Sequence, residues 1–267
     1  MAKKIRLDAY LVERGLAADV KTAQALVLAG LVYNKEVRLD TAGHMVGEKD
    51  VIEVREKGLK FVSRGGLKLE KALRDFGVDP TGYVCSDSGA STGGFTDCLL
   101  HQGAKKVFAI DVGYGQLDWK IRSDPRVVVM ERTNVRYVTL ADLGEPLDLS
   151  VIDVSFISLR IVLPVIKTFL KPTGQVLCLI KPQFEAGKEK VGKKGVVRDP
   201  AIHKEVLDSF VALTQEIGFT ILGLTFSPVK GPEGNIEFLA HLTLDNKPGI
   251  IPNTASVVSD AHETLKG

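Results

Sequence analysis

The chain has 267 residues, 45% hydrophobic and 25% charged, which is material for one large domain or two smaller ones. Its formal net charge is only +2, so bulk charge argues neither for nor against a nucleic-acid partner, and local distribution has to decide. The start, Met-Ala-Lys-Lys-Ile-Arg-Leu-Asp, never reaches an apolar signal-peptide core, and no stretch approaches the ~18 apolar residues of a membrane span. A cytoplasmic chain with no membrane partner is expected.

Residues 5–54 read as a compact block, helix-rich and then strand-like. Leu7, Tyr10 and Leu11 point to a first helix ending at Gly15. Asp19 is placed to cap a second helix, 20–29, on which Ala23, Leu26 and Val27 share a face. Residues 31–37 read as a hairpin turning at Asn34-Lys35, and 51–54 alternates as a strand. The charged run 55–60 reads as a linker, and the division expected is 1–58, linker 59–62, and 63–267.

In the second block Ser63-Arg64-Gly65-Gly66 precedes a helix expected at 67–76. Strands are expected at 83–86, 106–110, 127–130, 149–152 and 175–180, with helical stretches between, which implies a parallel, doubly wound α/β sheet. Strands at 221–226 and 237–244 lie close together across a Pro/Gly-rich loop and fit an antiparallel closing hairpin. A last short helix is expected from Asn253. Cys85, Cys98 and Cys178 are odd in number, widely spaced and in apolar surroundings, so they read as reduced core residues with no metal pattern.

The strand at 83–86 runs into Asp87-Ser88-Gly89-Ala90-Ser91-Thr92-Gly93-Gly94-Phe95-Thr96, which opens a helix. Glycines there let a ligand approach the backbone. The spacing is neither the Gly-x-Gly-x-x-Gly of dinucleotide enzymes nor a triphosphate loop. It matches the first motif of class I methyltransferases, making S-adenosylmethionine the expected cofactor, with Asp87, Gly89, Ser91, Thr92, Gly93, Gly94, Phe95 and Thr96 as the candidate cradle. Asp111 ends the next strand, where an acid can bind ribose hydroxyls or cap a helix.

Chemistry in such sheets lies beyond the carboxyl ends of the strands. Asp153 and Lys181 occupy two of those ends, and Lys68 and Glu237 would complete a charged cluster if the fold gathers them. Taken singly, each has an ordinary reading: a solvated lysine, a helix cap, a ladder-edge carboxylate.

The segments 63–68, 87–96, 153–156, 181–185 and 235–238 resemble those of the TlyA (haemolysin A-type) family of rRNA 2′-O-methyltransferases, whose catalytic domain is similar to the FtsJ/RrmJ ribose methyltransferases. Residues 5–54 resemble the S-four RNA-binding domain. The resemblance implies a Rossmann-like methyltransferase sheet behind a small α+β RNA-binding domain. It also implies a catalytic Lys-Asp-Lys-Glu tetrad at Lys68, Asp153, Lys181 and Glu237, and ribosomal RNA or its subunits as partner. The acceptor implied is a cytidine in large-subunit rRNA; a second in small-subunit rRNA goes with longer termini, toward which the helix-like 255–265 leans.

RNA contacts are expected from Lys3, Lys4, Arg6, Arg14, Lys21, Lys35 and Arg38. Lys193 and Lys194, in the glycine-laced basic loop 187–198, are further candidates. Through Val62 the block carries eleven Lys/Arg against nine Asp/Glu, so its case rests on placement and resemblance. A direct cytolysin and a non-catalytic ribosome-assembly factor are the rival readings. The first lacks a membrane-inserting element and the second leaves the tetrad unexplained.

Overall fold

In the computed structural model, residues 4–28, 30–35, 37–47, 50–54 and 60–266 are described. The chain divides into two compact units, 1–60 and 61–267. Residues 55–59 of the stretch expected to be a linker lie outside the described residues, and Phe61, 2% exposed, packs into the second unit.

The first unit contains β1 (Ile5–Arg6), α1 (Leu7–Glu13), α2 (Val20–Leu28), β2 (Val32–Asn34), β3 (Val37–Arg38), β4 (Met45–Val46) and β5 (Ile52–Val54). Helices α1 and α2 pack on each other through Leu7, Leu11, Ala23 and Val27. The Asp19 carboxylate accepts from Thr22 N at 2.7 Å, capping α2 as expected. Ala29, the last residue of the helix foreseen at 20–29, lies outside the described residues. The hairpin turns at Lys35, whose φ is +55°, and β2 pairs antiparallel with both β3 and β5. The pairing of β1 with β4 was not foreseen, because two residues per strand leave no periodicity to read.

The second unit begins with α3 (Gly65–Phe76), β6 (Val84–Ser88), α4 (Gly94–His101), β7 (Lys106–Ile110), α5 (Trp119–Arg122) and β8 (Val127–Met130). It continues with α6 (Leu140–Leu143), β9 (Leu147–Ile152), α7 (Leu159–Lys167), β10 (Leu170–Ile180), α8 (Pro182–Glu185) and α9 (Pro200–Glu216). It ends with β11 (Thr220–Phe226), β12 (Phe238–Thr243) and α10 (Thr254–Thr264). Seven strands form one sheet in the order β11-β12-β10-β9-β6-β7-β8. The five from β8 to β10 are parallel, and β12 inserts antiparallel between β10 and β11. The mostly parallel sheet with an antiparallel C-terminal hairpin is therefore present.

Apolar residues of the central strands and their covering helices fill a core on each face of the sheet. Cys85, Cys98 and Cys178 are buried free thiols within it. Among the described residues no helix is long and apolar enough to cross a membrane, and no cluster of His, Cys, Asp and Glu could hold a metal ion.

Two departures from the sequence reading position the site. Helix α3 starts at Gly65, two residues before the expected start. Gly65 and Gly66 permit close packing rather than breaking the helix: a Cβ on Gly66 would lie 2.3 Å from the Phe61 ring, and one on Gly94 would lie 2.2 Å from Ser63 Oγ. Strand β6 runs on through Ser88, so the polar Asp87-Ser88 end of the motif is fully buried in the sheet.

Asp87 Oδ2 accepts from both Thr96 N (2.9 Å) and Thr96 Oγ1 (2.7 Å), bracing the turn from strand to helix. Burial, only partly offset by Thr96, pushes the Asp87 carboxyl up to about 7. A folded pKa above the unfolded 3.8 means that the stability this group contributes is full below pH ~4 and is lost as pH rises toward 7. Asp87→Asn keeps an acceptor for Thr96 and removes that titration. Denaturant unfolding from pH 4 to 8 should show the variant gaining on the wild type by a few kcal/mol as pH rises. A constant difference across the range would refute the buried, proton-binding carboxyl.

Candidate active site

Four charged side chains from four distant segments meet beyond the carboxyl ends of the central strands. Lys68 rides on the first turn of α3, Asp153 follows β9, Lys181 follows β10, and Glu237 immediately precedes β12, not within it as expected. Lys68 Nζ donates to Glu237 Oε2 at 2.6 Å, across 169 residues of sequence. Asp153 Oδ2 lies 3.9 Å from Lys68 Nζ, and Asp153 Oδ1 lies 2.6 Å from Lys181 Nζ. That second contact is an ion pair without hydrogen-bond direction, so Asp153 Oδ1 keeps its acceptor capacity. Lys181 Nζ also donates to Ser155 Oγ at 3.0 Å.

Lys68 and Lys181 are each 7% exposed and Glu237 is fully buried. Burial pulls the Lys68 ammonium down, but the Asp153 and Glu237 carboxylates outweigh it and hold Lys68 above the ordinary lysine value. Burial pushes the Glu237 carboxyl up, with the two lysines pulling against it. Lys68 is thereby fixed as a cation.

The glycine turn lies directly against this cluster. Gly89 has φ +88°, and a Cβ there would lie 2.5 Å from the Asp153 carbonyl oxygen, so any side chain would displace the segment carrying Asp153. The remaining motif residues separate into two sets. Ser91 and Thr92 are exposed at the tip, and Ser91 N donates to Asp111 Oδ2 at 2.8 Å. Asp111 Oδ1 accepts from Gly113 N at 2.7 Å, so this carboxylate organises two loops and caps no helix. Asp87, Gly94, Phe95 and Thr96 point inward: Phe95 joins the core, and Gly94 packs on Gly65 and Gly66. Gly93, at φ +95°, sits against Leu117 and Ile121.

Several contributors were not singled out from the sequence. Ser155 lies two residues after Asp153 in a segment already marked, and its spacing was the available signal. Glu185 accepts from Ser158 Oγ (2.6 Å) and Leu159 N (2.8 Å), fixing the start of α7 after the Asp153 loop. Buried Asn235 bridges two backbone groups, accepting from Val197 N and donating to Gly195 O at 3.0 Å each. It thereby fastens the basic loop to the segment that carries Glu237. Lys193 and Lys194 are exposed on that loop, beside a cavity of about 430 Å³ that Lys190 and Arg198 also line.

In the first unit Lys4, Arg14, Lys21 and Lys35 are exposed. Arg6 is paired with Asp8 (2.7 Å) and Arg38 with Asp40 (2.6 Å), so two of the expected RNA contacts carry charge already matched by a neighbour. The Arg6 guanidinium, bonded to the buried Asp8, holds that carboxyl well below the usual range. Lys3 lies outside the described residues.

Residues 61–244 match the family described as FtsJ-like methyltransferase. Among curated relatives, YqxC of Bacillus subtilis, named as a candidate rRNA methyltransferase, is 51% identical over 99% of this chain and 96% of its own length. The 16S/23S rRNA (cytidine-2′-O)-methyltransferase TlyA of Mycobacterium tuberculosis is 43% identical over 91% of each chain. A solved structure of a candidate hemolysin from Streptococcus thermophilus superposes with a TM-score of 0.79 at 44% identity, covering 100% of this chain and 98% of that one. With its strand order, tetrad and glycine turn set beside these matches, the chain belongs to the TlyA/hemolysin-like family of rRNA methyltransferases, which carry an FtsJ-like methyltransferase domain.

Proposed function

We propose that the protein transfers a methyl group from S-adenosylmethionine to the 2′-hydroxyl of a ribose in ribosomal RNA, in the cytoplasm. The acceptor is a cytidine in large-subunit rRNA, with a small-subunit cytidine as the broader form of the same activity. The observation that carries this reading is the closure of Lys68, Asp153, Lys181 and Glu237 into one buried cluster directly against the glycine turn.

The residues present suit the cofactor. Its ammonium, sulfonium and ribose hydroxyls call for acceptors, and the rim offers Asp111, the Ser91 and Thr92 hydroxyls, and an Asp153 Oδ1 without a hydrogen bond. Gly89, Ser91, Thr92, Gly93 and Asp111 would hold it, while Asp87, Gly94, Phe95 and Thr96 shape the turn from within. The bound cofactor supplies a methyl group on a sulfonium leaving group.

The two lysines differ in role. Lys68, held charged by two carboxylates, stabilises the developing alkoxide. Lys181 takes the proton of the 2′-hydroxyl as the oxygen–methyl bond forms. Asp153 and Glu237 orient the amines, and burial excludes water from the exchange. Selection of the site falls to the first unit, read as an S-four-type RNA-binding domain through Lys4, Arg14, Lys21 and Lys35. Lys193 and Lys194 on the basic loop add phosphate contacts.

In labelled-methyl transfer to ribosomal RNA, Lys181→Ala should lose about 10²–10⁴-fold in turnover with cofactor affinity retained. Near-normal turnover would remove Lys181 from the mechanism. Gly89→Ala should abolish transfer and lower the melting temperature, because the added Cβ collides with the Asp153 carbonyl oxygen. A fully active, fully stable alanine variant would contradict the close approach. Lys193→Ala/Lys194→Ala should flatten the dependence of log K on log salt for RNA binding by about 1.5, and an unchanged slope would argue against both contacts.

A further inference from the structure

The loops that follow β7 and β8 carry large aromatic side chains that the core does not use. Tyr114 is 67% exposed, Trp119 76% and Tyr137 74%. They belong to neighbouring parallel strand ends, and the two loops are knit together. Arg132 N donates to Gly113 O (2.9 Å), Thr133 N to Asp111 O (2.9 Å), and Gly115 N to Glu131 Oε1 (2.8 Å). This framework ties the two connections into one rim, and Tyr114, Trp119 at the start of α5 and Tyr137 stay exposed along them, against the general tendency of large apolar groups to be covered.

Arginines accompany the rings. The Arg132 guanidinium sits 4.1 Å over the Tyr114 ring centroid, and that of Arg136 sits 5.3 Å from the Tyr137 centroid. The nearby acids are committed elsewhere. Glu131 bonds to Arg122 and the Gly115 amide, Asp111 to the Ser91 and Gly113 amides, and Asp118 caps the short helix α5 through Lys120 N. Among the described residues neither Arg132 nor Arg136 has a carboxylate partner. Arg136 Nε instead donates to the Asn134 amide oxygen at 3.2 Å. The rim therefore presents π-faces interleaved with unneutralised cations.

We infer that this rim of Tyr114, Trp119, Arg132, Arg136 and Tyr137 is a stacking platform for single-stranded RNA flanking the modified nucleotide. The inference rests on RNA being the substrate and adds a second contact region on the catalytic unit itself. Unpaired bases offer π-faces to aromatic rings and guanidinium planes, while the arginines meet the phosphates. A duplex keeps its base faces stacked internally and cannot use the rings. Charge complementarity favours RNA over an apolar protein partner, which would leave two guanidiniums desolvated. Structural cation–π pairing is weak at such exposed positions and leaves Trp119 unexplained.

Trp119 is the chain's single tryptophan, so its fluorescence reports on this rim alone. The full-length protein, saturated with S-adenosylhomocysteine, is titrated with a single-stranded oligoribonucleotide of about ten nucleotides and, separately, with a duplex of equal length. The single strand should quench Trp119 and bind more tightly than the duplex. Tyr114→Ala and Tyr137→Ala should each weaken binding about tenfold, with circular dichroism unchanged, and Tyr137→Phe should bind like the wild type. Absence of quenching, equal response to duplex, or unaltered affinity of the alanine variants would overturn the platform. Quenching complete with S-adenosylhomocysteine alone would assign the rim to the cofactor instead. Any of these results, with methyl transfer to ribosomal RNA intact, would sink the platform and leave the enzymatic reading standing.

Discussion

The buried ion pair between Lys68 and Glu237 is the constraint around which the catalytic unit is arranged. Taking two charges out of water is costly, and in a low-dielectric site the cost is met only when partners stand at hydrogen-bond distance. Here the 2.6 Å contact joins the first turn of α3 to the start of β12, and Asp153 and Lys181 extend it toward the ends of β9 and β10. Removing either member of the pair would strand the other, a loss on the order of 3–5 kcal/mol. The neighbouring glycines follow from the same requirement. Gly94 lets α4 approach the start of α3, Gly66 makes room for the Phe61 ring, Gly89 lets the glycine turn touch the Asp153 backbone, and Gly231 leaves room for the Glu237 carboxyl.

The same closure ties the chemistry to the proposed RNA side. Asn235, two residues before Glu237, holds Val197 and Gly195 of the basic loop. His203 on α9 bonds to the Val197 carbonyl and packs edge-on against Phe238. Its ring also meets His262 of α10 at 2.9 Å, so the C-terminal helix rests on the base of the loop. The segment that supplies the Glu237 carboxylate thus also anchors the loop carrying Lys193 and Lys194. On the other side, Asp111 joins the glycine turn to the aromatic rim through the Ser91 and Gly113 amides.

What the sequence disclosed follows from the physics of each element. Strands β7 and β8 were legible to the residue because short apolar runs bounded by breakers specify buried parallel strands. Strand β6 was read short, because Asp87 and Ser88 look like loop residues and are buried only through the Thr96 brace and the sheet. Helix α3 was read late, because its glycines serve packing against Phe61 and Ser63, partners that local sequence does not reveal. Lys68 was the least legible member of the tetrad. Nothing in its own segment separates it from a solvated lysine, and only the partner 169 residues away makes it a buried cation. The family resemblance supplied that connection, while Ser155 and Asn235, whose work is to position others, lay within the marked segments without being distinguished.

In the proposed reaction this cluster directs a methyl group to a ribose oxygen. Ribosomal RNA incubated with the protein and methyl-labelled cofactor can be hydrolysed in alkali, which cleaves every linkage except those protected by a 2′-O-substituent. Label is expected in alkali-resistant dinucleotides that yield 2′-O-methylcytidine on digestion. Label recovered in base-methylated mononucleotides, or no label in RNA at all, would contradict it.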